Sequence, residues 1–181
     1  MGAWIQTRCG QKFDLENPDP QSISPQTLCV ILARICRFGG HCKPFYSVAQ
    51  HSLFVCDLVP SLTLKLPALL HDAHEAYWGF GDVCRPAKHI TPTIRAELKS
   101  LADRVDLAIA KRFGFSVEWF RHPDIKHADD VSLATEKRDL LECEPEPWVE
   151  LPPPHFDLIE PWDTDKAYRR FQSRLYELWG E

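Results

Sequence analysis

From Ser24 onward the apolar positions of this chain recur every three to four residues, the period of helices that turn one face to a core. Ser24 can cap the first helix, with Pro25 in its first turn, and Leu28, Ile31, Leu32 and Ile35 form its apolar face until Gly39-Gly40 ends it. Ser47-Val48-Ala49-Gln50 has the form of a capping box, and Val48, Leu53, Val55, Leu58 and Val59 follow before Pro60. A third helix is predicted from near Pro67 to Trp78, and the stretch from Gly79 to Lys88, with Gly81 and Pro86, reads as loop. Next comes a long helix from about Thr93 to near Gly114, with Ile94, Leu98, Leu101, Val105 and Ile109 on one face. Two more run from Asp124 to about Cys143 and from Thr164 to Trp179, the last with Tyr168, Phe171, Leu175 and Leu178 as its buried stripe. Before Ser24, Gly2, Gly10, Pro18 and Pro20 break up short apolar pieces and leave room for at most a small hairpin. Glu144 to Pro161 holds six prolines and reads as a loop laid over the surface, because too little chain follows to build a second core. The pattern predicts an all-α bundle of about six or seven helices in one domain, residues 1–181.

Composition narrows the class without naming a function. At 44% hydrophobic residues and a formal net charge of -5, the chain can bury a sizeable core, and it has no basic stripe for duplex nucleic acid. It shows no apolar run of transmembrane length, no leader with a basic n-region and no lipidation box, so a cytoplasmic protein without a membrane partner is expected. Its seven cysteines include no C-x-x-C pair, and the Cys36, His41, Cys42 group lacks the second ligand pair of a zinc knuckle. Reduced thiols are the expectation. A homo-oligomer remains possible, with no spare apolar face to mark it.

The segment Leu69-Leu70-His71-Asp72-Ala73-His74-Glu75-Ala76 breaks the apolar pattern with chemistry. An imidazole nitrogen beside a carboxylate oxygen is a divalent-metal donor pair, and Glu75, one helical turn later, can face the same ion. One adjacent pair holds an ion weakly, so further donors must come from other helices. His51 lies one helix upstream, and Asp129 and Asp130 lie far downstream in Ile125-Lys126-His127-Ala128-Asp129-Asp130. On the residues alone the two aspartates are equal candidates.

A histidine, then His-Asp, then a distant aspartate on a late helix resembles the HD-domain superfamily of metal-dependent phosphohydrolases. Tyr46-Ser47-Val48-Ala49-Gln50-His51-Ser52, Leu69 through Tyr77, Gly81-Asp82-Val83-Cys84-Arg85-Pro86-Ala87-Lys88 and Leu133-Ala134-Thr135-Glu136 carry the likeness from about Trp4 to Leu140. They are similar to the small members that include bacterial 5'-deoxynucleotidases, and phage-type dATP triphosphohydrolases share the framework. The resemblance implies His51, His71, Asp72 and Asp129 as ligands of one divalent transition metal, Mn²⁺, Co²⁺, Fe²⁺ or Zn²⁺. It favours Asp129 over Asp130 by the spacing to Leu133-Ala134-Thr135-Glu136. It also implies Glu75 and Asp82 as catalytic groups, the first on the attacking water and the second toward the leaving group, although Asp82 stands farther from His71-Asp72 than in the shorter relatives. Arg37 and Phe38 resemble the arginine and aromatic that contact nucleotide, and Arg85 and Lys88 can meet its phosphate.

The expected function is therefore metal-dependent hydrolysis of deoxynucleoside 5'-monophosphates, with release of triphosphate from a dNTP as the alternative. Two other classes stay open. A dinuclear HD protein needs extra ligands between His71-Asp72 and Asp129, where His89, His122 and His127 lie without a matching motif. A non-catalytic nucleotide-binding HD protein predicts a lost ligand or a lost glutamate, and none is lost.

Overall fold

Around the helix that carries His51 the rest of the chain is assembled. The computed structural model describes residues 2–180, so Met1 and Glu181, the ends of the expected domain, lie outside the described residues. Its α-helices are α1 (Pro25–Arg34), α2 (Val48–Leu58), α3 (Lys65–Leu69), α4 (Arg85–Lys88), α5 (Pro92–Phe113), α6 (Pro123–Leu140) and α7 (Thr164–Trp179). An antiparallel hairpin of β1 (Trp4–Gln6) and β2 (Lys12–Asp14) precedes them, with Ile5 opposite Phe13. The fold is an all-α bundle, as the periodicity predicts. Helix α2 is apolar on nearly every side and packs on α1, α3, α6 and α7, which is why eight of its residues are buried. Helix α7 closes the bundle with Ala167, Phe171 and Leu175, all fully buried.

The caps follow from side-chain chemistry. Ser24 Oγ accepts from the Thr27 N–H, Ser47 Oγ from the Gln50 N–H and Thr91 Oγ1 from the Ile94 N–H, each satisfying a donor with no partner inside its helix. Gly114, at φ 79°, ends α5 in the left-handed region that a side chain would resist.

Four departures from the sequence pattern have local causes. Helix α1 stops at Arg34 rather than Gly39, because the backbone of residues 35–37 pairs with residues 46–48: Val48 N–H donates to Ile35 O and Arg37 N–H to Tyr46 O. The capping box is half made, since the Gln50 side chain turns away to donate to Glu160 O and accept from the Trp162 N–H. Arg85 to Lys88, expected as loop, form the single turn α4. The stripe of α5 is buried only from Val105 onward, and Ile94 remains 40% exposed because few elements cover the helix's first half.

The proline-rich segment is a strap over α6 and α2. Arg138 donates to the carbonyls of His155 and Asp157, Thr135 Oγ1 accepts from the His155 N–H, and Asp139 accepts from the Ile159 N–H. No helix of the described residues is long and apolar enough to cross a membrane.

Thiol labelling tests this packing. Cys9, Cys84 and Cys143 are exposed, whereas Cys29 and Cys56 are buried, and burial pushes the Cys29 thiol up to about 12. Iodoacetamide on the native protein should modify Cys9, Cys84 and Cys143 and spare Cys29 and Cys56 until denaturant is added. Modification of Cys29 at the native rate of Cys84, read by peptide mass spectrometry, contradicts the packing of α1.

Candidate metal centre

Two imidazoles, one from α2 and one from the turn after α3, meet with their Nε2 atoms facing. His51, fully buried in α2, donates through Nδ1 to Glu136 Oε1 at 2.6 Å, and Ser132 Oγ donates to the same oxygen at 3.0 Å. His71 donates through Nδ1 to the Ala68 carbonyl at 2.8 Å. A carbonyl oxygen only accepts, so the proton of His71 is fixed on Nδ1, and the carboxylate fixes that of His51 in the same way. The two Nε2 atoms that remain lie 3.3 Å apart. Both are acceptors in the neutral rings, so a cation satisfies this approach, either a metal ion held by both or a proton on one of them.

The carboxylates complete the cluster. Asp72 Oδ2 lies 3.4 Å from His51 Nε2 and 3.3 Å from His71 Nε2, and Asp129 Oδ1 lies 3.5 and 4.0 Å from the same atoms. Donors that share one ion at about 2.0–2.2 Å stand about 2.8–3.6 Å apart at octahedral to tetrahedral angles. His51, His71 and Asp72 stand mutually close enough to share a single ion, and Asp129, 3.5 and 4.0 Å from the two nitrogens, lies beside that set. Burial and Arg37 oppose a proton on His51, yet Glu136, Asp129 and Asp72 outweigh them and raise its pKa well above the ordinary imidazole value. A buried His/Asp/Glu cluster able to hold a metal is therefore present. Asp130 points away, toward Arg85 at 3.2 Å and Lys126.

The local chain that delivers His71 and Asp72 is not the helix expected from Pro67 to Trp78. Helix α3 ends at Leu69; Ala73 N–H then donates to Leu70 O and Glu75 N–H to Asp72 O, so the chain tightens into a 3-10 turn over Ala73–Ala76. At three residues per turn Asp72 and Glu75 stand one above the other, which places both on the wall of one cavity. Glu75 is 3% exposed, and its Oε2 is buried without a hydrogen-bond partner. Burial, then the charges of Asp72 and Asp82, push its pKa well above the usual carboxylate range.

This cavity, about 760 Å³, also receives Asp82, Asp129, Arg37, Phe38, Arg85 and Lys88. Every residue singled out from the sequence as catalytic or substrate-binding thus reaches it, though Asp82, Arg37, Arg85 and Lys88 also have partners within the chain. Asp82 Oδ2 accepts from the Phe38 N–H at 2.8 Å, which holds Phe38 at φ 56°, a left-handed conformation costly for an aromatic residue. Arg37 is buried, with Nη2 at 3.0 Å from Glu136 and Nη1 at 3.5 Å from Asp72, so its guanidinium braces the cluster. Lys88 Nζ lies 5.6 Å from the centre of the Trp78 ring. His74 faces Asp106 with its Nδ1 at 3.1 Å and meets Trp78 edge-on, and it also forms a second close donor group with Asp72 and Glu75.

Sequence reasoning gave no role to Glu136 or Ser132. The signal was available in their spacing, since Asp129, Ser132 and Glu136 stand at i, i+3 and i+7 and so share one face of α6. Trp148 and Val149 of the strap also line the cavity, which a loop assigned from proline content alone does not suggest.

No family model matches the chain. It is 32% identical over 179 residues to "Uncharacterized protein YfdR" of Escherichia coli (strain K12), covering 97% of this chain and 96% of that protein. It is 34% identical over 149 residues to "Uncharacterized protein RCAP_rcc00048" of Rhodobacter capsulatus, covering 76% and 73% of the two chains. The chain belongs to the family of these proteins.

Loading with Mn²⁺ or Co²⁺ should raise the melting temperature, because an ion that binds only the folded state at about 100 times its Kd adds about 2.7 kcal/mol. Asp129→Ala should lose this rise and Asp130→Ala should keep it, as read by calorimetry with and without chelator. The reverse pattern moves the fourth ligand to Asp130.

Proposed function

We propose that this member of the YfdR family is a divalent-metal-dependent phosphohydrolase of the HD type, acting on deoxynucleoside 5'-monophosphates to give nucleoside and phosphate. One observation carries the reading: Asp72 and Asp129, which flank the facing Nε2 atoms of His51 and His71, line a cavity that also holds Glu75, Arg85 and Lys88. His51, His71, Asp72 and Asp129 would hold the ion, and their mixed nitrogen and oxygen set suits Mn²⁺, Fe²⁺, Co²⁺ or Zn²⁺. When bound, the ion supplies Lewis-acid stabilisation of phosphate oxygen and lowers the pKa of water.

The chain's own groups do the rest. Glu75 receives the proton of the attacking water, a role that suits a carboxylate whose pKa is raised and whose Oε2 has no other partner. Asp82 keeps Oδ1 outside its bond to Phe38, and the proton that Glu75 takes from the water passes by way of Asp82 to the departing 5'-oxygen. Arg85 and Lys88 bind the phosphate oxygens, while Arg37 holds Asp72 and Glu136 in place. Three Lys or Arg side chains line the cavity, of which Arg37 is committed to Glu136 and Asp72 and Arg85 also pairs with Asp130, which suits one phosphate better than three.

The test is a screen of deoxy- and ribonucleoside mono- and triphosphates with Mn²⁺ or Co²⁺, separating phosphate from triphosphate. Phosphate from deoxynucleoside monophosphates is expected. In the same assay Glu75→Gln should keep its metal and lose about 10²–10⁴ in kcat, the usual contribution of a general base. Asp72→Ala should lose metal and turnover together, and normal turnover in that variant overturns the assignment.

A further inference from the structure

One end of the cavity has no role in the chemistry above. Its wall there is Leu133 from the second half of α6 and Leu141 just beyond its end, with Trp148 and Val149 contributed by the strap. Trp148 is 38% exposed and Val149 66% exposed; Phe156 and Leu158 of the same strap are more exposed still, and what sets the first two apart is that they line the cavity. The indole is not loose. Lys137 Nζ lies 5.4 Å from its ring centre and pairs with Glu144, so one cation fixes both the start of the strap and the indole. Pro145 and Pro147 stiffen the short run between Glu144 and Trp148, which lowers the entropy lost when a ligand settles on the ring. At the other end of the same cavity stand Asp72, Glu75, Asp82, Arg85 and Lys88. A ligand that fills both ends needs an anionic head and a flat apolar tail.

We propose that Trp148 is the platform on which the base of a nucleotide stacks, so that the chain selects nucleotides over sugar phosphates lacking a base. The phosphate end of this inference rests on the phosphohydrolase reading; the base end rests on the strap. Trp148 lies beyond Leu140, outside the segment that carries the metal and acid–base residues, so base selection is supplied by a part of the chain separate from the catalytic helices. Stacking of a base on an aromatic side chain contributes a factor of about ten or more to affinity.

The experiment is calorimetric binding of dAMP and of 2-deoxyribose 5-phosphate to full-length Mn²⁺-loaded protein in a Glu75→Gln background, which prevents turnover. Without a further change, dAMP should bind at least about tenfold more tightly than the sugar phosphate. Trp148→Ala should reduce that ratio to about two or below, and Trp148→Phe should preserve most of it. Unchanged 2-deoxyribose 5-phosphate affinity in Trp148→Ala shows that the variant is folded and its phosphate end intact. A preference for dAMP that survives Trp148→Ala, or the absence of any preference before that change, overturns the platform. A preference that depends on Trp148, found alongside a wild-type protein that releases no phosphate from any nucleotide, supports the platform and overturns the phosphohydrolase reading instead.

Discussion

The pairing of buried Glu136 with His51 and Arg37 is the interaction on which the rest of the centre depends. A carboxylate with no exposure would ordinarily take up a proton, but Arg37 and His51 outweigh the burial and bring the Glu136 pKa down to about 2. The charge then sets everything around it. Through Oε1 it fixes the proton of His51 on Nδ1 and turns Nε2 toward His71; through Oε2 it holds Arg37, whose other nitrogen reaches Asp72. Removing one member of such a buried group leaves an uncompensated charge, at a cost of about 3–5 kcal/mol. The segment just after α1, the middle of α2 and the second half of α6 are thereby tied together at the point where the donors converge.

The same dependence explains why the chain breaks its helix at the chemical residues. A continuous α-helix through Pro67 to Trp78 would hold His71, Asp72 and Glu75 within an arc of about 100°, but with Asp72 and Glu75 about 60° apart around the axis. Ending α3 at Leu69 lets the His71 ring use the Ala68 carbonyl that a longer helix would have claimed, and the 3-10 turn that follows stacks Glu75 over Asp72. Local helix propensity yields here to side-chain hydrogen bonding and to the packing of Ala73 and Tyr77, both fully buried.

What could be read from the sequence was whatever the local period controls. The caps at Ser24 and Ser47, the extent of α7 and the reach of α5 to Gly114 all depend on neighbours within four residues, and the chain spells them out. The ends of α1 and α3 depend instead on partners far along the chain, Tyr46 and Val48 for one and the facing His51 for the other, and periodicity holds no record of them. The polar cluster of His51, His71 and Asp72 was legible because polar residues interrupt apolar segments, whereas Asp129 and Asp130, equal on the residues alone, were separated in the sequence by the resemblance; in the structure α6 turns Asp129 toward the imidazoles and Asp130 toward Arg85. Glu136 went without a role because a glutamate in a helix reads as a solvated charge unless its helical face is traced through Asp129 and Ser132.

The division between rigid and adjustable parts follows from where each group is anchored. His51, Asp129 and Glu136 stand on long helices, and His71 and Asp72 on a turn locked between them, so the donor positions cannot shift without disturbing the core. The groups that face the open cavity come from short or irregular elements: Phe38 from a strained turn, Asp82 and Arg85 from the glycine-containing segment and its single helical turn, Trp148 from the strap. Changes in those elements alter the shape and charge of the cavity while leaving the facing imidazoles untouched. Variation in ligand preference within the family is therefore expected in the segments 37–41, 79–89 and 144–154 and not in α2 or the buried face of α6, because a substitution in the latter two must also satisfy a buried charge.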